Sequence, residues 1–344
     1  MRVAILGAGG TIAPVIVRDL AGSDEVDRMV LLDLDAARAQ AVADEYGRGN
    51  GTRVEARGVD ASTGGLAYQL TGCDVLVNSA SYRVNVDAMR ACLEAGCHYI
   101  DLGGLYWMTG KQLEMHDDFQ TVGKLALLGM GSSPGKTNVM ARAGARRLGD
   151  EAHLDEAHVF AAGRNLDPDA PLAAPYAIQT LKDELEMRPV SVVDGEPVEV
   201  EPMTRAGERD FGDPIGPGEL IHTIHSELRT FPSSFGVRSA TFNLSLPPAV
   251  LEHLYEIKTT VAPDAPTVSV PMVDCVRGSR RVTMRAVTRG SVNSTAAPAA
   301  AAVRLLARGG IQATGALPPE QCVDPDDLFP ELEQRGCEIT EVAA

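Results

Sequence analysis

The residues best suited to hold a phosphate stand near the N-terminus, in "ILGAGGTIA" (5–13). Gly7 and Gly9 fill the first two positions of G-x-G-x-x-G, and Ile12 stands where the third glycine would be. Gly7 permits a tight turn, and Gly9 lets backbone approach a pyrophosphate. The N–H groups of Gly10, Thr11 and Ile12 would open a helix whose positive end faces that anion. Some two dozen residues on, "VLLD" ends at Asp33. A carboxylate there accepts hydrogen bonds from both adenosine ribose hydroxyls and repels a 2′-phosphate, so NAD is favoured over NADP. Asp60, after the third strand, reaches toward the adenine or caps the next helix. Asn78, Ser79 and Ala80 lie where the loop after the fourth strand passes the nicotinamide ribose.

A second glycine-rich stretch, "GMGSSPGKTN" (129–138), imitates a triphosphate loop. The imitation fails on register. Four residues must separate the first glycine from Gly-Lys-Thr, whereas Gly131 and Gly129 precede Gly135 by three and five intervening residues. Pro134 also removes an N–H that a phosphate nest would use. The stretch reads instead as the exit from a strand, with Pro134 and Gly135 turning the chain and Ser132, Ser133 and Asn138 facing the nicotinamide.

The elements that must position these residues alternate in the first third of the chain. Short apolar runs at Val3–Leu6, Met29–Leu32, Val54–Val59, Asp74–Ala80, His98–Gly104 and Leu125–Gly131 are separated by helical patterns. Those patterns end at Leu20 and then cover Ala36–Tyr46, Leu66–Leu70, Val86–Ala95 and Lys111–Val122. The alternation implies an α/β fold with a Rossmann-type, doubly wound parallel sheet. After Gly149 longer strand patterns dominate, in "HLDEAHVFAAG", "PVSVVDGEPVEV", "VRSATFNLSL" and "RRVTMRAVTRG". They imply a second α+β domain with a mostly antiparallel sheet. The expected division is a dinucleotide domain over 1–136, completed by 294–344, and a substrate and oligomerisation domain over 137–293.

Composition narrows the partners. A formal net charge of -16 argues against nucleic acid, and no apolar run nears the roughly 20 residues a bilayer requires. The opening residues do not read as a signal peptide, since the apolar run breaks at Gly7 and meets Arg18-Asp19. Six cysteines without a CxxC pair or histidine clustering argue against structural zinc or a disulfide framework, so no metal is expected. Reduced thiols suit a cytoplasmic protein.

Four stretches together, "DVLVNSASYRVN", "HYIDLGG", "GSSPGKTNVMA" and "LLARGGIQATGALPPEQCVDPDDLFPELEQRG", resemble the saccharopine dehydrogenase family of NAD(P)-dependent amino-acid oxidoreductases. Within that family the organisation is similar to that of lysine 6-dehydrogenases. The resemblance implies a homodimer or larger homo-oligomer, and a helix over Ser294–Arg308 that packs back on the dinucleotide domain. It also singles out His222, Thr223 and Arg229 in "ELIHTIHSELRTFP" (219–232).

Oxidation of an amine needs a base for the nitrogen proton and anchors for the substrate's charges. A histidine with an ordinary pKa of about 6.5 suits the first task. His222 and His225 stand three apart, and the resemblance gives the role to His222, leaving His225 to satisfy a core polar group. Arg229 would hold a carboxylate in bidentate fashion, with Arg83 beside the nicotinamide loop as a second candidate. Asp101 ends the fifth strand, where open sheets present their crevice, and would hold an ammonium group or cap a helix. Tyr106 and Trp107 form a pocket wall or aromatic core. Lys136 reads as solvent-facing or as a phosphate neighbour. Glu184 and Glu186, on a helix within Tyr176–Met187, meet a cationic amine or stay solvated.

The reading that unites these residues is an NAD-dependent oxidoreductase acting at the CH–NH2 or CH–NH carbon of an amino acid, which the resemblance makes lysine 6-dehydrogenase-like. Two alternatives stand beside it. One is an enzyme that recycles a tightly bound NAD internally, as a cyclodeaminase or homospermidine synthase does. The other is a non-catalytic NAD sensor.

Overall fold

The computed structural model describes residues 1–47 and 51–342. Six parallel strands open the chain: β1 (Arg2–Leu6), β2 (Arg28–Asp33), β3 (Arg53–Gly58), β4 (Val75–Asn78), β5 (His98–Asp101) and β6 (Leu125–Leu127). They lie side by side in the order β6-β5-β4-β1-β2-β3. Val3, Ala4, Ile5 and Leu6 are all buried, as expected of a central parallel strand covered by helices on both faces. The order reverses beside β1, and that switch point opens a crevice at the carboxyl ends of β1 and β4.

The second sheet contains β7 (Glu156–Asn165), β8 (Val190–Val193), β9 (Glu196–Glu199), β10 (Arg205–Asp210), β11 (Pro217–His222), β12 (Ser239–Ser245), β13 (Thr267–Arg277) and β14 (Arg280–Arg289). The central pair β12–β7 is parallel, and the other pairs are antiparallel. Along β14, Val282, Met284, Ala286 and Thr288 are buried while their neighbours are not, so one face is packed. That face meets the helices Lys136–Arg147 and Ser291–Ala307. The fold is therefore a Rossmann-type α/β sheet joined to a second, mostly antiparallel sheet.

The C-terminal segment serves both sheets. β15 (Gly315–Leu317) pairs with β6 and becomes the seventh parallel strand, whereas β16 (Cys337–Val342) pairs with β14. β16 thus joins the second sheet, while β15 joins the first. The helix Ser291–Ala307 packs against the helix Ala13–Ala21, which its buried alanines let approach closely. Arg304 and Arg335 both donate to Asp19 there.

Five strands had no counterpart in the sequence patterns, β15 and β16 of the C-terminal segment and three in the second sheet. β10, "RAGERD", has no apolar alternation, being largely exposed. β11 lies in the stretch read for its histidines, and β13 carries Pro271 in its interior, which disguises a strand. The pattern over Lys111–Val122 resolves into two helices, Leu105–Leu113 and His116–Thr121. Among the described residues no group of histidine, cysteine and acidic side chains could hold a metal, and no helix is long and apolar enough to cross a membrane.

Candidate active site

The crevice beside β1 is a backbone construction. Gly7 has φ +75°, and a Cβ there would lie 2.6 Å from Ala80 N. Only glycine lets the loops after β1 and β4 come so close. The Gly7 and Ala8 amides donate to Leu32 O at 2.8 and 3.0 Å, and Gly10 N donates to Gly7 O at 2.9 Å. Gly9 N donates to Asp33 Oδ2 at 2.8 Å, so the acid at the end of β2 is tied to the glycine turn. Arg38 donates from its guanidinium to Gly9 O. The helix Ala13–Ala21 begins at Ile12 without a side-chain cap, which leaves its first amides available to an anion. Ser79 Oγ is buried without a hydrogen-bond partner. A glycine cradle, an uncapped helix start, an acid at the ribose position and an orphaned hydroxyl fit a dinucleotide.

The remaining cofactor candidates divide. Ile12, Ser79, Ala80, Ser133 and Pro134 border one cavity of about 530 Å³ between the two sheets. Thr11 Oγ1 instead shares a hydrogen bond of 2.9 Å with Thr260 Oγ1 of the second domain. Asp60 is exposed and caps the turn Ala61–Thr63, accepting from Ser62 N at 2.9 Å. Asn78 is buried, donates to Asn85 and Tyr99, and accepts from Ala80 N, so it shapes the loop from behind.

Beyond Ser79 and Pro134 the cavity runs into the second domain, where small and apolar side chains such as Ala161, Ala173, Leu244 and Val250 border it. Its polar end is assembled from three segments. His225, from the loop after β11, stacks on Phe242 of β12 with centroids 3.5 Å apart. His225 Nε2 lies 3.7 Å from Glu184 Oε1, and Nδ1 lies 3.3 Å from Glu227 Oε2. Tyr176 donates its hydroxyl to Glu184. Glu227 also accepts from Ser133 Oγ and Thr137 Oγ1, each at 2.8 Å. Burial alone would lower the His225 pKa, but the two carboxylates outweigh it and raise it to about 9. Burial likewise opposes the charge of Glu227, yet the imidazolium and Thr137 hold it below the usual carboxylate range. Burial and Glu184 push the Tyr176 phenol well above its ordinary value.

The cavity is thus bordered by His225 and not by His222, to which the resemblance gave the role of base. His222 ends β11, where its Nδ1 meets Asn243 Nδ2 at 3.2 Å, and it does not border the cavity. Thr223 is fully buried with Oγ1 unpartnered, also away from the cavity. Arg229 lies on the outer side of the helix Glu227–Phe235, its guanidinium 5.7 Å from the centre of the buried Tyr106 ring. Neither residue borders the cavity. Arg83 is exposed and ion-paired to Asp183 at 2.6 Å, joining the two domains beside Tyr82, whose hydroxyl donates to the same oxygen at 2.8 Å. Glu186 is exposed and accepts from Tyr255.

Asp101 is likewise a builder of the site. It is 1 % exposed, and its oxygens accept from Gly129 N at 2.7 Å, Gly103 N at 2.9 Å, Asn85 and Gln112. Burial raises its pKa despite those donors. With every lone-pair direction engaged, it fixes the loops at 103 and 129 and leaves no oxygen for an ammonium group.

Lys136 corrects another expectation, for it is buried and donates to Thr288 at 2.9 Å and Ser294 at 2.8 Å. The glycine turn before it is closed as well. Gly135 has φ +118°, a Cβ there would lie 2.4 Å from Gly131 N, and Asn138 Oδ1 already accepts from Gly135 N at 2.8 Å. Ser133 faces the cavity from this turn, whereas Asn138 points into the core toward Glu320.

Comparison with known proteins agrees with this architecture. Residues 3–127 match the saccharopine dehydrogenase NADP binding domain. A carboxyaminopropylagmatine dehydrogenase from Synechocystis sp. is 29% identical over 161 residues, covering 44% of this chain and 39% of that protein. The matched region thus spans well under half of the relative's length. The apo saccharopine dehydrogenase (L-Glu forming) from Saccharomyces cerevisiae has a similar fold, with a TM-score of 0.73 at 12% identity, covering 99% of this chain and 100% of that one.

Proposed function

Because the chain belongs, by its dinucleotide-binding domain, to the saccharopine dehydrogenase family of NAD(P)-binding oxidoreductases, we propose that it oxidises amines, or reduces imines, at a CH–NH2 or CH–NH carbon. One observation carries this reading. A single cavity joins the nicotinamide side of the crevice, at Ser79 and Pro134, to the buried His225–Glu184 pair. A bound nicotinamide would supply the hydride acceptor or donor. Gly7, Gly9 and Gly10 would hold its pyrophosphate, Asp33 its adenosine ribose, and Ser79, Ala80 and Ser133 its reactive end.

The chain's own task is to move a proton at the substrate nitrogen. His225 is charged at neutral pH, so it serves as the donor when an imine is reduced. In the oxidative direction it must first lose that proton, and rising pH favours this. Glu184 and Glu227 place a negative charge beside each ring nitrogen, while Phe242 fixes the plane of the ring. The lysine 6-dehydrogenase reaction belongs to this class, as does any oxidation at a carbon bearing nitrogen.

For the cofactor, Asp33 favours NAD, while Arg38 beside it offers a cation to a 2′-phosphate, so the reading admits both with NAD preferred. The test is fluorescence titration with NADH and NADPH, followed by a nicotinamide-coupled screen of amines and imines. Saturable cofactor binding with turnover of a CH–NH compound is expected. Tight cofactor binding with no turnover across the screen would remove the enzymatic reading and leave a sensor.

A further inference from the structure

Charge on the cavity wall narrows the substrate class, granted that the cavity binds a CH–NH substrate. A carboxylate taken out of water needs a cation that is free to pair with it. Among the described residues two cationic side chains border the cavity, Arg164 and His225. His225 has a carboxylate at each ring nitrogen, 3.7 Å away at Glu184 and 3.3 Å away at Glu227. Arg164 borders it only at the end of β7, and the pleat turns its side chain to the other face of the sheet. Its cross-strand partner Val268 belongs to the apolar cluster on that far face, whereas the flanking Ser269 and Thr267 border the cavity. The polar end therefore holds two carboxylates to one imidazolium, a formal charge of one negative. Asp167 at the rim adds another acid.

We propose that the substrate is a cationic amine, or its iminium, that carries no carboxylate and whose remainder is apolar. The excess negative charge stabilises the cation beside Glu184, and the alanine-rich wall receives the uncharged part. This departs from the amino-acid substrates that the resemblance implied.

Matched pairs differing only in a carboxylate provide the test: cadaverine against lysine, and 1-piperideine against 1-piperideine-2-carboxylate. Binding to the full chain is measured by calorimetry with NAD present, and turnover by NAD(P)H absorbance. The carboxylate-free member of each pair is expected to bind at least about tenfold more tightly. Glu184→Gln should weaken that binding about tenfold while leaving NAD affinity unchanged. Preference for the carboxylated member, or binding of neither, overturns the proposal. In the first case, loss of that preference in Arg164→Ala would identify the anchor. Tight binding of the carboxylate-free amine without turnover would sustain the substrate class while sinking the proposed reaction.

Discussion

The dinucleotide crevice is built from contiguous backbone in β1, its glycine turn and the end of β2. The cavity beside it takes its polar end from side chains on the helix Ile178–Glu186, the loop before Glu227, and β12. A crevice of the first kind writes itself into the sequence, because close backbone approach admits only glycine at particular positions. A cavity of the second kind does not. Any of several acids or histidines satisfies the local helix or loop, and only tertiary packing decides which of them meet.

The backbone construction of the crevice is most vulnerable at Gly7. Gly7→Val combines a positive φ with a Cβ 2.6 Å from Ala80 N. Strain of about 3 kcal/mol should lower dinucleotide affinity by at least about a hundredfold, read by NADH fluorescence titration. Near-normal affinity would show that the two loops separate easily and that the crevice is not fixed by its backbone.

On the other side of the comparison, His225→Gln should reduce turnover by about a hundredfold or more, as loss of a positioned proton-transfer group does. The wild-type pH profile carries a sign that can be checked. His225 keeps its proton up to about pH 9, so amine oxidation should climb as pH rises through that value, while imine reduction should fall. Glu184→Gln removes an acid that raises this pKa, and both inflections should move to lower pH. His222→Gln should leave them in place. If His222→Gln shifted the profile and His225→Gln did not, the assignment of the proton-transfer group would be reversed.

These two regions also show what could be read before the fold was known. Gly7, Gly9 and Asp33 were legible because a parallel-sheet switch point imposes fixed residue types at fixed spacing, and the strand-helix alternation around them set the first sheet. His225 was passed over because its partners Glu184 and Phe242 lie 41 and 17 residues away, and nothing in "IHTIHSE" marks one histidine as inward. The turn that throws His225 inward sits between the end of β11 at His222 and the helix starting at Glu227. A better signal was Glu227 itself, an acid two residues from His225 at the start of a helix. Asp101 misled for a physical reason. The end of a parallel strand is where ligands bind, and it is also where the loops that frame the site need an acceptor for their amides.

That double use can be tested at intermediate size. Asp101→Asn keeps the shape, but with its oxygen on Gly103 N and Gly129 N its NH2 faces the amide donors of Asn85 and Gln112. A buried mismatch of this kind should cost about 1–3 kcal/mol, lowering the thermal midpoint. Turnover per folded molecule should fall far less than in His225→Gln. A collapse of turnover with an unchanged midpoint would return Asp101 to the chemistry.

The smallest effect is expected where side chain and backbone meet inside the crevice. Arg38 rises from the first turn of the helix Ala36–Tyr46 to donate to Gly9 O, beside the Asp33 carboxylate that accepts from Gly9 N. The pair sets opposite charges where an adenosine ribose would lie. Asp33 disfavours a 2′-phosphate, and Arg38 can turn from the Gly9 carbonyl to meet one. Loss of one charge-assisted contact of about 1.5 kcal/mol should make Arg38→Ala roughly tenfold worse in kcat/KM for NADPH, and less than about threefold worse for NADH. An equal loss with both cofactors would mean that Arg38 clamps the glycine turn and reads no phosphate. Cofactor choice would then rest on Asp33 alone.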